Sequence, residues 1–259
     1  MKQLLDGITV VVTRPATQAA RFIELVHAAG GRCIAYPTLQ IERLELDAGR
    51  LDLVRARPWD WAVFTSSNAV EFGLGQLPTP PARRYAAIGR ATERALAGRG
   101  VTVAARPDNA SSEGLLDLPQ FANLAGCRLL LVKGSGGREL LRDSARARGA
   151  EVLELEVYRR SMARPTRSAV ASLHSALSSD ERIVIAATSV ETLASLLEQV
   201  APTDGPALRN RTLLVPGARV AAAAAGRGWQ GAIIEAGGAE DEAMLAALAG
   251  LAAGSLPPA

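Results

Sequence analysis

The sequence predicts an α/β fold with two parallel sheets, on three observations. Short apolar runs alternate with helix-like periodic stretches along the whole chain, polar turns rich in Ser, Thr, Asn and Gly separate them, and several strand–turn–helix units recur as weak copies. At 259 residues with 48% hydrophobic content, the chain can build one large core or two of ordinary size.

Residues 8–13 (ITVVVT) form a continuous apolar run of the kind buried in a parallel sheet. Thr17 is placed to cap a helix carrying Phe22, Leu25 and Val26, which Gly30 and Gly31 stop, with His27 in its last turn where a cation suits the dipole. Residues 33–36 read as a strand, and residues 37–45 (PTLQIERLE) alternate Leu39 and Ile41 with polar neighbours. Residues 59–64 (WDWAVF) are a strand followed by a helix in TSSNAVEF, where Asn68 and Glu71 have capping-box spacing. Strands are expected at 85–88 and 101–104, helices after Gly89 and after Ser111 or Ser112, and a buried strand at 128–134 (RLLLVKG). A helix stopped by Gly149 leads to residues 151–158, where Leu153, Leu155 and Val157 alternate with Glu154, Glu156 and Tyr158. That period of two puts Tyr158 on a wet, acidic face. Beyond Pro165 the expected order is helix to about 178, strand 182–187, helix in TSVETLASLLEQV, strand 211–215, helix to Gly226, strand within 229–235, and a last helix with acids in its first turn.

The copies suggest how this chain is divided. FTSSNAVEF resembles AATSVETLA, and AIGRATERALAGRGVTV resembles VPGARVAAAAAGRGWQG. TRPATQAARFIELVHAAGG resembles VKGSGGRELLRDSARARGA, but comes first in one set and last in the other. The expectation is two lobes of one design, the N-terminal piece closing the C-terminal lobe. Residues 1–36 plus 165–259 would form the discontinuous lobe one and 43–156 lobe two, with 37–42 and 157–164 as linker strands.

Composition narrows the function classes. Net charge is +3, carried mostly by Arg interleaved with Asp and Glu, with 4% aromatic residues, so no basic stripe or stacking platform for nucleic acid is expected. No run is apolar enough to span a bilayer, the start lacks a cleavage-site pattern, and Cys33 and Cys127 sit in or beside apolar runs as reduced residues; a cytoplasmic monomer is the expectation. Two His and two Cys, far apart, argue against a metal site. GRGWQG at 226–231 matches G-x-G-x-x-G but follows a helix and precedes a strand, the reverse of a dinucleotide fingerprint; no G-x-x-x-x-G-K or G-x-S-x-G occurs. No cofactor is expected.

What remains is a set of strand-to-helix turns: Thr13-Arg14, Ser66-Ser67-Asn68, Gly89 to Thr92, Ser111-Ser112, residues 133–138 with Lys133, Gly134 and Arg138, Thr188-Ser189, and Gly217 to Arg219. In open α/β sheets such turns lie at the carboxyl ends of the strands, where ligands bind and helix N-termini favour anions. Capping alone, worth about 1 kcal/mol, accounts for any single Ser or Thr. As a set facing one cleft, they point to a ligand with many carboxylates or phosphates. A non-enzymatic two-lobed binding protein for a small polyanion fits the same residues.

Taken together, TRP near the start, WDWAVFTSSNAV, IGRAT, SSEGLL, VKGSGGREL and VYRR at Tyr158 resemble the uroporphyrinogen-III synthase family, in order and spacing over nearly the full length. The resemblance implies two flavodoxin-like lobes joined by a two-stranded linker and no cofactor or metal. It also implies a reaction that closes linear hydroxymethylbilane, which bears eight carboxylates, with inversion of ring D through a spiro intermediate. Carried over by position, Tyr158 matches a tyrosine that helps the ring A hydroxyl leave, Thr92 a threonine in the cleft, and Ser189 a serine opposite it. Arg14, Ser66, Ser67, Asn68, Gly89, Ser112, Lys133, Gly134, Arg138, Thr188 and Arg219 are the expected substrate contacts. Where some members carry Thr in the last strand-to-helix turn, this chain has Arg219 and Val220, so no catalytic role transfers there.

Overall fold

The computed structural model describes residues 4–77, 82–137 and 139–254. The chain begins with β1 (Ile8–Val12), α1 (Ala16–Ala28), β2 (Arg32–Ala35) and β3 (Leu39–Arg43). Next come α2 (Ala48–Arg55), β4 (Trp59–Phe64), α3 (Ser67–Leu74), β5 (Ala82–Ala87), α4 (Arg90–Ala97), α5 (Ser112–Leu116), α6 (Pro119–Ala122), β6 (Arg128–Gly134), α7 (Leu140–Ala147) and β7 (Glu151–Met162). The last third holds α8 (Arg167–Leu177), β8 (Arg182–Ala186), α9 (Val190–Gln199), α10 (Gly205–Arg209), β9 (Thr212–Val215), α11 (Ala218–Ala225), β10 (Ile233–Glu235) and α12 (Asp241–Ala252).

Two compact units result, one from the residues up to Gln40 with those from Ser161 onward, the other from Ile41–Arg160. The chain therefore passes between them twice, once within β3 and once within β7.

The first unit holds a sheet in the order β10-β9-β8-β1-β2, and the registers along it are parallel. Alternate residues of each strand feed opposite faces, as the pleat requires. Val11, Ile183, Ile185, Leu213 and Val215 pack with Leu193, Leu196 and Val220 on one face. Val10, Val12, Val184 and Leu214 pack with Phe22, Val26, Met244 and Leu248 on the other. Burial on both faces explains why ITVVV and RIVIA are continuous apolar runs.

The second unit has a sheet in the order β3-β7-β6-β4-β5, with parallel registers from β7 through β5. One face packs Phe64, Leu130, Val132 and Leu155 with Val70, Leu74 and Leu96, and the other packs Trp61, Val63, Leu129 and Leu131 with Leu115, Phe121 and Leu141. Leu44 N–H donates to Val157 O at 3.0 Å and Ala163 N–H donates to Thr38 O at 3.0 Å, so β3 and β7 run in opposite directions. The two strand orders are related by permutation: the run β9-β8-β1-β2 in one sheet corresponds to β5-β4-β6-β7 in the other.

Several expectations are corrected. Residues 101–104 form no strand; the position is held by one bridge, Ala86 to Ala105, and by the bond from Ala104 N–H to Tyr85 O. Thr17 lies inside α1, whose N-cap is Pro15 and which has no side-chain cap. The helix expected after Ser112 is split, because Pro119 restarts it as α6 with Leu118 extended, as a residue before proline prefers. Helices α2 and α10 are additions to the expected set; α2 is capped by Asp47, which accepts from Arg50 N–H at 2.8 Å.

Candidate active site

Three of the candidate residues, Ser66, Gly134 and Tyr158, meet at the carboxyl edge of the second sheet, where β4 and β6 end while β7 runs on. β6 and β7 keep strict register until Lys133 pairs with Glu156; the next pair is Gly134 with Tyr158. One residue, Val157, is therefore extra on β7. A bulge of this kind turns the following side chain to the other face. This overturns the wet-face expectation for Tyr158, which is buried at 4% exposure with Val157 beside it in the same core. The alternation of Glu154 and Glu156 ends at the bulge, and both acids stay half-buried on the strand.

Three contacts hold Tyr158 there. Its Oη lies 3.0 Å from Ser66 Oγ, its carbonyl accepts from Ser135 N–H at 2.7 Å, and its ring lies 6.1 Å from that of Phe72. The ring also lies directly against Gly134. A Cβ built at Gly134 would stand 2.6 Å from Tyr158 Cζ and 2.9 Å from its Oη. Glycine is needed here because only a hydrogen fits under the ring. Exposed Arg160 places its guanidinium 6.0 Å from the ring centre.

Ser66 belongs to the turn after β4 and is the N-cap of α3, its Oγ accepting from Ala69 N–H at 3.1 Å. This corrects the capping-box reading of Asn68, which sits in the first turn of the helix and is itself buried. Ser67 opens α3 and is half-buried. At the end of β5, Gly89 caps α4 with extended backbone, and Thr92 is buried in the helix's first turn. Ser111 caps α5 through Gly114 N–H at 2.9 Å, leaving Ser112 as the first helical residue.

Of the cations, which the sequence leaves as either substrate contacts or partners of acids, Lys133 and Arg14 are paired with acids. Lys133 points to the face opposite Tyr158, is 8% exposed, and its Nζ lies 3.1 Å from Glu154 Oε1. Arg142 Nη1 approaches the same carboxylate at 3.6 Å and forms a bidentate pair with Glu139, holding the Glu139 carboxyl below its ordinary value. Arg138 lies outside the described residues. In the first unit Arg14 is buried against Phe22, pairs with Asp241, and donates to Ala239 O at 2.9 Å, so it ties β1 to the start of α12. Arg219 is exposed in the first turn of α11, and Val220 is buried beneath it.

At the corresponding edge of the first sheet, Thr13 Oγ1 donates to Ala186 O at 2.8 Å. Thr188 precedes Ser189, which caps α9 in a reciprocal capping box with Thr192. Tyr36 is as buried as Tyr158, but burial and the nearby Asp204 carboxylate push its hydroxyl pKa up. Among the described residues no group of three or more His, Cys, Asp or Glu is placed to hold a metal ion, and no helix is long and apolar enough to cross a membrane. Sequence reasoning misses the partners Glu154 and Asp241; their acidic type in a strand or first turn is the only signal the sequence offers.

A family model described as uroporphyrinogen-III synthase HemD matches residues 20–246. The chain belongs to the uroporphyrinogen-III synthase family. The Escherichia coli uroporphyrinogen-III synthase is 31% identical over 248 residues, covering 93% of this chain and 100% of that protein. The Salmonella typhimurium uroporphyrinogen-III synthase is 35% identical over 162 residues, covering 59% of this chain and 65% of that protein, just under two thirds of its length. The crystal structure of a mutant uroporphyrinogen III synthase from Thermus thermophilus is similar with a TM-score of 0.58 and 24% identity, covering 92% of this chain and 96% of that one. That likeness speaks for the family fold.

Proposed function

We propose that this chain is a uroporphyrinogen-III synthase, a lyase of tetrapyrrole biosynthesis that cyclises hydroxymethylbilane with inversion of ring D. The observation that carries the chemistry is Tyr158, brought by the Val157 bulge to within 3.0 Å of Ser66 at the mouth of a capped helix. A phenol there can donate a hydrogen bond or proton to the departing ring A hydroxyl, which leaves as water when its C–O bond breaks. The resulting azafulvenium cation is attacked by the already substituted carbon of ring D, giving a spiro intermediate that fragments and recloses the other way, with loss of the ring D proton. One positioned donor of this kind assists departure without dominating it. Much of the acceleration comes from holding the conformer that favours the spiro route. The turns at Ser66, Gly89, Ser112 and Ser189 present helix N-termini, whose field and free N–H groups suit carboxylates.

The same reading extends to architecture. The two units are flavodoxin-like lobes, and the paired strands β3 and β7 are their linker. Numbered by its own order along the chain, the first sheet runs 2-1-3-4-5, the flavodoxin-like order, and both crossings between units fall within β3 and β7. The enzyme acts as a cytoplasmic monomer on a free small molecule, with no nucleic-acid or membrane partner, as the interleaved charge supports.

The test is the isomer ratio of uroporphyrin formed from freshly generated hydroxymethylbilane, read by reversed-phase chromatography after oxidation. Isomer III only when the protein is present is the expected result. Isomer I with and without a folded preparation would remove the synthase reading and leave anion binding.

A further inference from the structure

A hydroxyl that donates to a departing oxygen needs its proton aimed, and Tyr158 Oη stands beside another hydroxyl that can do so. The side chain that meets this hydroxyl is Ser66. A serine hydroxyl has one proton and two acceptor sites. One acceptor site of Ser66 Oγ takes Ala69 N–H at 3.1 Å, and Tyr158 Oη stands 3.0 Å away on another side. We propose that Ser66 is a positioning residue that gives its proton to Tyr158 Oη, leaving the tyrosine's own proton for the substrate oxygen.

Three features of the corner support this direction. The donor Ala69 N–H already polarises Ser66 Oγ and belongs to the first turn of α3, whose N-terminal field favours negative charge nearby. As Tyr158 gives up its proton, the bond from Ser66 becomes a charge-assisted one, which is roughly twice as strong as its neutral counterpart. Gly134 blocks the ring from behind and Phe72 borders it, so the hydroxyl keeps a fixed distance from the cap. The step balances: Tyr158 O–H breaks, its proton joins the departing hydroxyl as water, and the C–O electron pair leaves with that water. Ring A is left as an azafulvenium cation beside the phenolate, and the proton that ring D loses on reclosure restores the phenol.

The inference rests on the proposed synthase reading, and a set of variants separates the two. Ser66→Gly removes the hydroxyl while keeping a residue type that N-cap positions accept. It is expected to lower kcat about tenfold with KM nearly unchanged, as loss of one charge-assisted bond made mainly in the transition state would do. Ser66→Thr, which keeps the hydroxyl, is expected to restore most of the rate. In a Tyr158→Phe background, Ser66→Gly should add no further loss. An equal fold-loss in both backgrounds, or no rescue by threonine, would overturn the proposal. Thermal melting of the parent, the two single variants and the double variant reads the contact independently of activity: the Tm losses should be non-additive, and additive losses would equally overturn it. If the parent protein made only isomer I, the synthase reading would fail, and the melting cycle would still decide whether Ser66 holds Tyr158.

Discussion

Two corners of this molecule use one design and finish it differently. After β4, Ser66 caps α3; after β8, Ser189 caps α9. At the second corner Ser189 Oγ accepts from Thr192 N–H at 3.0 Å, Thr192 Oγ1 accepts from Ser189 N–H at 2.9 Å, and the two hydroxyls lie 2.9 Å apart. That ring is closed within a single helical turn. At the first corner the residue three beyond the cap is Ala69, which offers only its N–H, and the hydroxyl meets a tyrosine 92 positions away. The comparison teaches that a cap is chemically available only when its own helix leaves the hydroxyl unfinished. Sequence repeats that look alike can therefore divide into a corner closed on itself and one whose hydroxyl meets a distant partner.

The largest effect that would break this comparison comes from Gly134→Ala. The new methyl would stand 2.6 Å from Tyr158 Cζ and 2.9 Å from its Oη, so the ring must leave its present place beside Ser66. Turnover should fall about 100-fold, with an overpacking cost of roughly 1–3 kcal/mol in chemical denaturation. Full activity in this variant would mean that the ring's position is unimportant. Tyr158→Phe comes next. It should reduce single-turnover rate by up to about 100-fold, more than any Ser or Thr change, since a general acid contributes on that scale or above. Product that remains isomer III at the lower rate would separate proton donation from conformer control.

The closed corner supplies the control. Thr192→Val keeps the buried shape but opens the capping box, and should cost about 1 kcal/mol of stability with turnover within about twofold of the parent. A large loss of turnover would show that the α9 corner also handles substrate chemistry. The smallest expected effect concerns Glu181, whose carboxyl is held below its ordinary value by Arg32 and then by Thr9. A depressed carboxylate contributes stability above its unfolded pKa, and that contribution disappears as pH falls through the folded value. Acid melting of Glu181→Gln should therefore be less pH-dependent than the parent's only from the ordinary carboxylate range downward. An unchanged acid profile would assign no pH dependence to the pair.

How far the sequence can be read follows the range of the interactions involved. The strands with both faces buried, such as RLLLVKG and RIVIA, are legible because a short apolar run between polar turns must be covered on both sides. The Gly stops at Gly30 and Gly149, both at positive φ, are legible because the left-handed turn they make is local to the helix end. Helices α2 and α10 are short and only Val54, Gly205 and Leu208 are buried in them, so they offer little periodicity to detect. The strand expected at 101–104 fails because a β-prone run still needs a neighbour in register, and only Ala105 meets one. Tyr158 stands out in the sequence but on the wrong face, since nothing in EVLELEVYRR marks Val157 as the extra residue. Whether Lys133 and Arg14 are open or paired is not legible, because Glu154 and Asp241, their partners, are 21 and 227 positions away.

The crossing of the chain within β3 and β7 has a consequence for its birth on the ribosome. The unit from Ile41 to Arg160 is contiguous, so it can complete its core as soon as it clears the exit tunnel. The other unit cannot. Its β1 lies between β2 and β8, with Ile8 in register with Arg182 and Val12 with Ala186, so an early strand must wait for most of the chain before one side is covered. Until then ITVVV is an apolar strand with only β2 beside it, and covering its other edge requires closing a long loop. β1 is thus made long before the strand that covers its second edge.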